Sequence, residues 1–268
     1  MAGGSVGRLN DRILLLEGVH NFRDAGGYAV AAGGKMKCAV VWRSGQHHGA
    51  SDTDLEHIAA LGLTSVFDLR TSRERSVHPC RRPQTFAARV FFANDPDLRH
   101  APHLAAAKTT RQRTAQSTRE SLTRNYGGIC FRPELQAMIR DWFDELARGR
   151  GPSLVNCMAG KDRTGIAVAM LHAALGIHRD DIMADYLLTN SAGNVKARIA
   201  SGAEAIRAIT GQLDDAVLQV LMGVEPDYLE AAWQAVEERY GTFDAYLEQA
   251  LGVDAVKRER MLAALVET

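Results

Sequence analysis

The chain lacks a hydrophobic run of the length that a membrane helix needs. Near its N-terminus the only apolar run covers residues 13–16. A spanning helix takes roughly 20 apolar residues, and the core of a signal peptide takes about 7 to 15. We therefore expect no stable insertion into a membrane and no export by a signal peptide. The sequence predicts a cytoplasmic protein, with secretion by an unusual route left open.

The chain also lacks an excess of charge of one sign. It has 32 basic and 32 acidic residues among 268, so its formal net charge is zero. Without a net field, nothing draws the whole molecule to the phosphates of nucleic acid or to an anionic membrane surface. We expect no nucleic-acid partner, and any attraction to an anionic ligand must be local.

Cysteine is scarce, and the histidines form no metal-binding pattern. The four cysteines show no paired spacing, which suits a reducing compartment or isolated thiols better than a disulfide framework. They are Cys38, Cys80, Cys130 and Cys157. The histidine pairs at 47–48 and 100–103 lack the further ligands that a closed metal site requires. We predict no metal and no cofactor.

Enough apolar sequence is present for one sizeable core. Hydrophobic residues make up 46% of the chain, and α/β domains of this length commonly form a single unit. We predict one domain over residues 1–268, with an α/β core at 18–190 and a helical extension at 191–268.

Alternating strand and helix patterns define the predicted fold. Four short apolar runs predict buried strands, at residues 40–42, 65–69, 90–93 and 153–155. Helical patterns over residues 51–61 and 133–149 separate them. This alternation predicts an α/β fold with a mostly parallel central sheet flanked by helices, and with ligand chemistry at the carboxyl ends of the strands. Further helices are predicted for a helical C-terminal subdomain, near residues 181–190, 194–210, 214–222, 226–240, 243–251 and 254–266.

One segment has a strand, a loop and a helix in the order that phosphate chemistry needs. CMAGKDRT, residues 157–164, places five residues between Cys157 and Arg163, after the apolar run 153–155 and before a helical stretch at 165–175. In such a loop, backbone N–H groups and the helix dipole bind a phosphate dianion, and the same field stabilises a thiolate at Cys157. Arg163 can grip two phosphate oxygens while the thiolate attacks phosphorus in line. The segment predicts a thiolate phosphatase loop.

Two competing motifs fit this segment less well. A nucleotide-binding P-loop needs glycine at position 155 and Ser or Thr after the lysine, where the chain has Val155 and Asp162. A disulfide oxidoreductase needs a second cysteine three residues after Cys157, where the chain has Gly160. A buried structural cysteine beside a helix is the remaining alternative, although it does not account for Gly160 and Arg163 at the positions that the chemistry needs.

Segments beyond the loop add a family resemblance. With NCMAGKDRTG at 156–165 they are NFRDAGGY (21–28), WRSG (42–45), FDLR (67–70) and DYLLTN (185–190). Their content and order resemble the bacterial tyrosine-phosphatase-like family. The resemblance covers residues 18–190 and returns at FDAYLE (243–248), whereas residues 97–126 and 192–211 match poorly. It implies hydrolysis of phosphotyrosine, with phosphoserine, phosphothreonine and phosphoinositides as further candidate substrates, so that the partner is a phosphorylated protein, peptide or phosphoinositide.

The chemistry needs an acid that protonates the leaving oxygen and a base that activates water, and two aspartates are candidates. Asp162 lies inside the loop beside Arg163, as in the similar loop of myotubularin-like lipid phosphatases. Its alternative role is a hydrogen bond that closes the loop or caps the helix. Asp68 ends a predicted strand, and a carboxylate that pairs with Arg70 or Arg43 to fix the strand end accounts for it equally well.

The loop itself supplies the predicted phosphate ligands, which are Met158, Ala159, Gly160, Lys161, Arg163 and Thr164. Lys161 adds a cation that can reach a second phosphate or an acidic partner residue, with a solvated lysine as the alternative. Together with Cys157, the predicted catalytic residues are Arg163, Asp162 and Asp68.

Residues around the loop are predicted to support it, namely Asn156, Arg23, Asp24, Arg43, Arg70 and Tyr126. For Arg23 and Asp24 the residues alone predict a structural ion pair, and the family resemblance places their turn near the active site. Asn156 departs from the family, which usually has histidine before the cysteine. Because asparagine carries no positive charge, we expect an active but weakened enzyme. A basic excess over residues 97–126 predicts either a lid that steers phosphorylated ligands or a solvated helix face.

Two classes of function are open at this point. An active phosphatase is the favoured interpretation, because Cys157, Arg163 and a nearby aspartate occur together. The alternative is a phosphate-binding pseudo-phosphatase or weakly active binding module, in which Asn156 has blunted the nucleophile. No oligomeric state is predicted.

Overall fold

A five-stranded sheet lies at the centre of the fold. The computed structural model describes residues 12–93, 114–192 and 214–268. The strands of this sheet, numbered in chain order, are β1 (Arg23–Asp24), β3 (Val41–Ser44), β4 (Ser65–Asp68), β5 (Arg89–Phe92) and β6 (Ser153–Asn156). They lie in the order β1-β3-β6-β4-β5, and all neighbours are parallel except β1 and β3. The predicted mostly parallel sheet is confirmed, and β6 holds its middle position.

Helices flank the sheet and make up most of the C-terminal part. In chain order they are α1 (Asp52–Ala60), α2 (Ser72–Val77), α3 (Ala115–Ile129), α4 (Pro133–Ala147), α5 (Asp162–Leu175), α6 (Arg179–Leu187), α7 (Thr189–Ala192), α8 (Asp215–Met222), α9 (Pro226–Tyr240), α10 (Phe243–Leu251) and α11 (Ala255–Leu265). Two short strands, β2 (Lys35–Met36) and β7 (Val266–Glu267), pair antiparallel in a separate small sheet. Within the described ranges, no helix has the length and apolar character that crossing a bilayer requires.

Local sequence explains where the predicted helices begin. Ser51 caps α1 through a capping box with Asp54, in which each side chain accepts a hydrogen bond from the other residue's backbone N–H. Pro133 occupies the first turn of α4, where its missing N–H costs nothing. The helices predicted over residues 51–61 and 133–149 are confirmed. So are the predicted C-terminal helices that lie in the described ranges, which are α6 and α8 to α11.

Some elements were not predicted. The strands β1, β2 and β7 have two residues each, too few to show an alternating pattern. Helix α3 is mostly polar and contains Gly127 and Gly128, which weaken its helical pattern. The helix predicted over residues 194–210 lies outside the described residues, as does the part of the basic segment at 97–113.

Alternate residues of the central strands point to opposite faces of the sheet, and both faces are buried. Phe67 and Val155 belong to the larger cluster of buried apolar residues, which includes residues of α4 and α5. Val66 and Leu154 belong to a smaller cluster on the other face, together with Ile58 of α1. The larger cluster also includes residues of α9, α10 and α11. The C-terminal helices therefore pack on the same core as the sheet.

A buried group of charges joins the sheet to α6. Arg23 on β1 and Arg43 on β3 both face Asp185 on α6, with an Nε–Oδ1 distance of 3.5 Å and an Nη1–Oδ2 distance of 2.6 Å. Burial alone would raise the pKa of Asp185, but the two guanidinium groups hold it well below its usual value. Burial and the nearby Arg43 charge lower the pKa of Arg23 to about 10, which leaves it charged at neutral pH. One buried carboxylate therefore faces two buried cations.

We expect Asp185→Asn to destabilise the fold by about 3 to 5 kcal/mol at neutral pH, because two buried guanidinium groups lose their counter-charge. The pKa of Asp185 is lower in the folded than in the unfolded protein. Its stabilisation is therefore complete above the unfolded value of about 3.9 and is lost as the pH falls toward the folded value. The difference between the two proteins should shrink below that pH, which urea unfolding as a function of pH measures.

Asp180→Asn is the matched control, since Asp180 lies on the same helix with an exposed carboxylate. It should leave the free energy of unfolding nearly unchanged. A loss of the same size in both variants, or one that does not change with pH, would show that the buried charges do not hold α6 to the sheet.

Candidate active site

The loop after Cys157 joins the central strand to the N-terminus of α5. Strand β6 ends at Asn156 and α5 begins at Asp162, so the loop leaves the carboxyl end of a parallel strand, where α/β proteins bind ligands. Cys157 is only 2% exposed. Among the described residues, no side chain caps the N-terminus of α5, and the positive end of the helix dipole lies at the loop.

Hydrogen bonds to a backbone carbonyl hold the loop against β3. The Gly160 oxygen accepts from Asn21 Nδ2 at 2.7 Å and from Arg43 Nη2 at 3.0 Å. Gly160 has a φ of +67°, and a Cβ at this position would lie 2.5 Å from the carbonyl carbon of Ser44. Only glycine fits there. Because the C=O and N–H of one trans peptide point in opposite directions, this arrangement turns the following N–H away from β3.

Donor groups of the loop are available to a ligand. The N–H groups of Met158, Ala159 and Gly160 donate no hydrogen bond to other described residues. The hydroxyl of Thr164, in the first turn of α5, is buried and likewise has no partner in the described parts of the chain. The Met158 carbonyl, by contrast, accepts from the Gln46 N–H at 3.1 Å. Unpaired donors grouped at a helix N-terminus fit an anion.

Arg163 is locked by a carboxylate on a neighbouring helix. Its Nη1 and Nη2 donate to Glu74 of α2 at 2.7 and 2.8 Å, and Nη1 also donates to the Leu69 carbonyl at 2.9 Å. Burial alone would lower the pKa of Arg163, but the hydrogen bonds that it donates to Glu74 and the negative charges around it raise the pKa above its usual value. The guanidinium is therefore fixed, charged and within electrostatic reach of Cys157.

A tyrosine hydroxyl orients Asp162. Tyr126 of α3 donates to Asp162 Oδ1 at 2.6 Å, and Lys161 Nζ lies 3.5 Å from the same oxygen. The Asp162 side chain is 13% exposed, whereas that of Asp68 is 2% exposed. Tyr126, which was predicted to support the loop, thus contacts it through Asp162.

The Lys161 side chain does not lie where the sequence suggested. Its Nζ donates to the carbonyls of Leu221 at 2.7 Å and Gly223 at 3.1 Å, at the end of α8, and it is buried. A cation there pairs with carbonyls that a helix end leaves unsatisfied and complements the negative end of the helix dipole. The predictions of contact with a second phosphate and of a solvated lysine both differ from this placement. The ammonium group instead joins the loop to the C-terminal helices.

Asp68 is held by Arg70, as the structural alternative for this residue predicts. Arg70 Nε donates to Asp68 Oδ1 at 2.8 Å, and Arg70 Nη2 donates to Oδ2 at 2.7 Å. Asn156 Nδ2 lies 3.4 Å from Asp68 Oδ1. The Asn156 Oδ1 atom is buried and has no partner among the residues described. The Asp68 carboxylate therefore fixes the end of β4.

The turn after β1 differs from its prediction. Neighbouring residues of a strand point to opposite faces, so Arg23 reaches Asp185 while Asp24 accepts from the N–H groups of Gly26 at 2.8 Å and Ala39 at 2.5 Å. Burial raises the pKa of Asp24. The predicted ion pair between Arg23 and Asp24 is wrong. Asp24 shapes the turn.

His47 lies near the site and is buried among other side chains. His47 is buried with its Nε2 2.9 Å from Ser44 Oγ. Burial, with the charges of Arg82 and Arg70, lowers the pKa of His47 to about 3, so that it is neutral at physiological pH.

All four cysteines are free thiols. In the portion of the chain that the structure describes, no group of three or more His, Cys, Asp or Glu could hold a metal ion.

Sequence reasoning missed further residues of the site, which are Glu74, Asn21, Asp185 and Tyr186. Glu74 forms a capping box with Thr71 at the start of α2, and the spacing Thr-x-x-Glu after a strand is a signal that could have pointed to it. The other three lie inside the family's motifs, but their roles come from distant partners. Asn21 and Gly160, for example, are 139 residues apart in the chain.

Comparison with known proteins identifies relatives of the chain. The sequence pattern of the tyrosine phosphatase family matches residues 14–267. The chain is 32% identical over 280 residues to the Mycobacterium tuberculosis protein named triple specificity protein phosphatase PtpB, an alignment that covers 94% of this chain and 98% of that protein. It is also 32% identical over 247 residues to a Cupriavidus necator protein with a provisional tyrosine-protein phosphatase name, covering 91% of this chain and 86% of that one.

Among solved structures, P. aeruginosa TpbA aligns with 81% of this chain and 99% of its own, with a TM-score of 0.34 and 14% identity, an overlap too slight for comparing sites. The family match covers residues 14–267, so it includes the loop, both candidate aspartates and the residues that hold Gly160 and Arg163. The chain belongs to the tyrosine phosphatase family, and it is a phosphatase.

Proposed function

We propose that the chain hydrolyses phosphomonoesters through a covalent phosphocysteine on Cys157, with phosphotyrosine as the principal substrate class. The position of Cys157 carries the proposal, since it is buried at a helix N-terminus beside unpaired N–H groups and a fixed Arg163. The proposed reaction uses Cys157 as a thiolate, and these groups stabilise negative charge beside it. They also favour the phosphoryl oxygens once substrate is present.

Arg163 retains the donors that a phosphate needs. A guanidinium has five N–H groups, and the contacts with Glu74 and Leu69 use both hydrogens of Nη1 and one of Nη2. The Nε hydrogen and the second Nη2 hydrogen lie on one edge of the planar group, with the spacing that binds two oxygens. Glu74 thus sets the plane in which the phosphate is held.

Asp162 suits the role of general acid better than Asp68. Asp68 accepts from Arg70 on both oxygens and is almost fully buried, an arrangement that occupies both carboxylate oxygens and limits access to a leaving group. Asp162 lies next to Arg163 in sequence and is the more exposed of the two. We assign proton transfer to Asp162 and support of the strand end to Asp68.

The proposed reaction has two steps. In the first, Cys157 Sγ attacks phosphorus, the S–P bond forms, the P–O bond to the leaving group breaks, and Asp162 gives its proton to the leaving oxygen. In the second, the Asp162 carboxylate accepts a proton from water as the water oxygen attacks phosphorus. The S–P bond then breaks and its electron pair returns to sulfur. The products are an alcohol or phenol and inorganic phosphate.

The family and its named relatives support the choice of substrate. Membership of the tyrosine phosphatase family supports phosphotyrosine. Phosphoserine, phosphothreonine and phosphoinositides are further candidates from the family resemblance, and a relative named for triple specificity supports a broad substrate range. The alternative is a weakly active phosphate-binding module, since Asn156 cannot carry the charge of the family's usual histidine. Turnover of a chromogenic aryl phosphate without added metal separates the two. A panel of phosphotyrosine, phosphoserine and phosphoinositide substrates then ranks the classes.

Cys157→Ser should abolish turnover and leave phosphate binding largely intact, because a serine hydroxyl is a poor nucleophile without a base beside it. Arg163→Ala should weaken both, since phosphate loses its partner in the ground state and in the transition state. Aryl phosphate hydrolysis and calorimetric titration with phosphate measure the two quantities. The exposed Cys38 provides the control, and Cys38→Ser should keep full activity. More than a trace of turnover by Cys157→Ser would rule out covalent thiolate chemistry.

Glu74→Gln should lower kcat/KM by about tenfold to hundredfold for every substrate, because the fork of Arg163 loses a charged bidentate partner. Steady-state kinetics on aryl and alkyl phosphates check that the loss is the same for both. Glu134 lines a cavity together with Arg163 but is not one of the hydrogen-bond partners that the structure gives Arg163 among the described residues, so Glu134→Gln is the control and should have little effect. Unchanged kinetics in Glu74→Gln would mean that Arg163 holds its position without this carboxylate.

Asp162→Asn should slow alkyl phosphates by about a hundredfold to ten-thousandfold and activated aryl phosphates far less, because only a basic leaving oxygen needs a proton. Asp68→Asn should instead reduce stability and slow both substrate classes alike, since it breaks the pair with Arg70. Rates across leaving groups of increasing basicity separate these patterns. If Asp68→Asn shows the leaving-group dependence and Asp162→Asn does not, the acid is Asp68.

A further inference from the structure

Two buried tyrosines form a chain of hydroxyl groups that ends on Asp162. Tyr186 of α6 donates to the Tyr126 hydroxyl at 2.8 Å, and Tyr126 of α3 donates to Asp162 Oδ1 at 2.6 Å. Both tyrosines are almost fully buried. This series of hydrogen bonds joins the three helices α3, α5 and α6, since Asp162 is the first residue of α5.

The chemistry of the end group fixes the direction of the chain. An ionised carboxylate only accepts hydrogen bonds, and a phenol has a single hydrogen to donate. Tyr126 must therefore donate its hydrogen to Asp162 Oδ1 and accept the hydrogen of Tyr186 on its own oxygen. Burial first, and then the charge of Asp162, raises the pKa of each phenol. Both hydroxyls therefore stay protonated donors over the pH range in which the enzyme works.

Tyr228 packs in the same group of aromatic rings but differs in the pairing of its hydroxyl. The Tyr228 ring lies 5.4 Å from that of Tyr126, and it is equally buried. Its hydroxyl has no partner among the described residues. The three rings pack together whether or not their hydroxyls are paired, so packing does not explain the alignment of the other two hydroxyls with the carboxylate.

We propose that Tyr126 and Tyr186 are positioning residues for the general acid, which hold Asp162 Oδ1 as an acceptor so that the transferred proton is carried by Oδ2. This inference rests on the proposed role of Asp162. With Oδ1 held by a fixed donor, the carboxyl group cannot rotate freely, and the proton-bearing oxygen keeps one direction relative to the loop. Small errors in such a direction are costly, because proton transfer needs hydrogen-bond geometry in the transition state.

Other charged and titratable groups also face Asp162, and Tyr126→Phe leaves all of them in place. Lys161, its neighbour in the loop, lies 3.5 Å from Oδ1. Arg163 of α5, Arg132 at the start of α4 and Tyr228 of α9 interact with it electrostatically. Since a donated hydrogen bond favours the ionised carboxylate, removal of the Tyr126 hydroxyl lets Asp162 hold its proton to higher pH. The basic limb of the activity profile should then move upward.

The test compares Tyr126→Phe with Tyr228→Phe, which removes a hydroxyl from the same group of rings but keeps the hydrogen bonds from Tyr186 to Tyr126 and from Tyr126 to Asp162. Tyr126→Phe should lower kcat for alkyl phosphates by about tenfold and leave activated aryl phosphates within about twofold. Its basic limb should move to higher pH. Tyr186→Phe should shift both quantities in the same direction by less, because Tyr126 still donates. Tyr228→Phe should change neither.

A double variant that combines Tyr126→Phe with Asp162→Asn shows whether the Tyr126 hydroxyl acts through Asp162. In Tyr126→Phe/Asp162→Asn, the alkyl phosphate rate should match that of Asp162→Asn alone, since a positioning residue has no effect once its target is gone. Further loss in the double variant, equal loss on both substrate classes, or an unmoved basic limb would overturn the proposal.

Two outcomes separate a failure of this inference from a failure of the proposed role of Asp162. If Asp162→Asn lacks any leaving-group dependence, the assignment of the acid fails and the positioning role fails with it. If Asp162→Asn behaves as expected while Tyr126→Phe does not, only the positioning role fails. Should Tyr126→Phe fold poorly because the Tyr186 hydroxyl loses its acceptor, Tyr126→Phe/Tyr186→Phe removes both hydroxyls, keeps both rings and gives the same readouts.

Discussion

The carbonyl group of Gly160 is the point on which the geometry of the site depends. Asn21 and Arg43 both donate to it, and each of these donors is held in turn by the buried charges behind the sheet. Arg23 contacts the Asn21 side chain, and Asp185 binds both arginines. The ion network that attaches α6 to the sheet therefore also holds the loop after Cys157. We expect loss of this network to affect both folding stability and the direction of the loop's N–H groups.

The same network leaves positive charge behind the loop. Arg163 is matched by Glu74, whereas Arg23 and Arg43 share the single carboxylate of Asp185. In a buried region, charges act more strongly than they would in water. The field at Cys157 thus has several sources besides the residue that precedes it. An asparagine at position 156 removes one possible contribution, while the helix dipole, Arg163 and the buried arginines are unaffected by it.

Sequence predicted the parts of this protein that are local and missed the parts that depend on distant contacts. The segment from Cys157 to Arg163 is contiguous, so its strand, loop and helix could be recognised, and the parallel sheet followed from apolar runs separated by helices. Glu74 and Asp185 contact their arginines only after folding, and no spacing in the chain encodes that. Lys161 was misplaced because a lysine in a phosphate loop suggests a phosphate contact, whereas the carbonyls of α8 compete for it. Asp68 had two equally good candidate roles, and its pair with Arg70 supports the structural one.

The burial of the Lys161 ammonium at the end of α8 has a thermodynamic consequence. The residue is part of the loop backbone and also part of the contact surface of the C-terminal helices. Any movement of this part of the loop relative to α8 would have to break or carry along these two hydrogen bonds. Thermodynamic linkage is reciprocal, so if a molecule bound to α8 changed the affinity of the loop for an anion, the anion would change the affinity for that molecule by the same factor. Lys161 thus gives the loop a direct physical contact with α8, and any coupling that this contact carries acts equally in both directions.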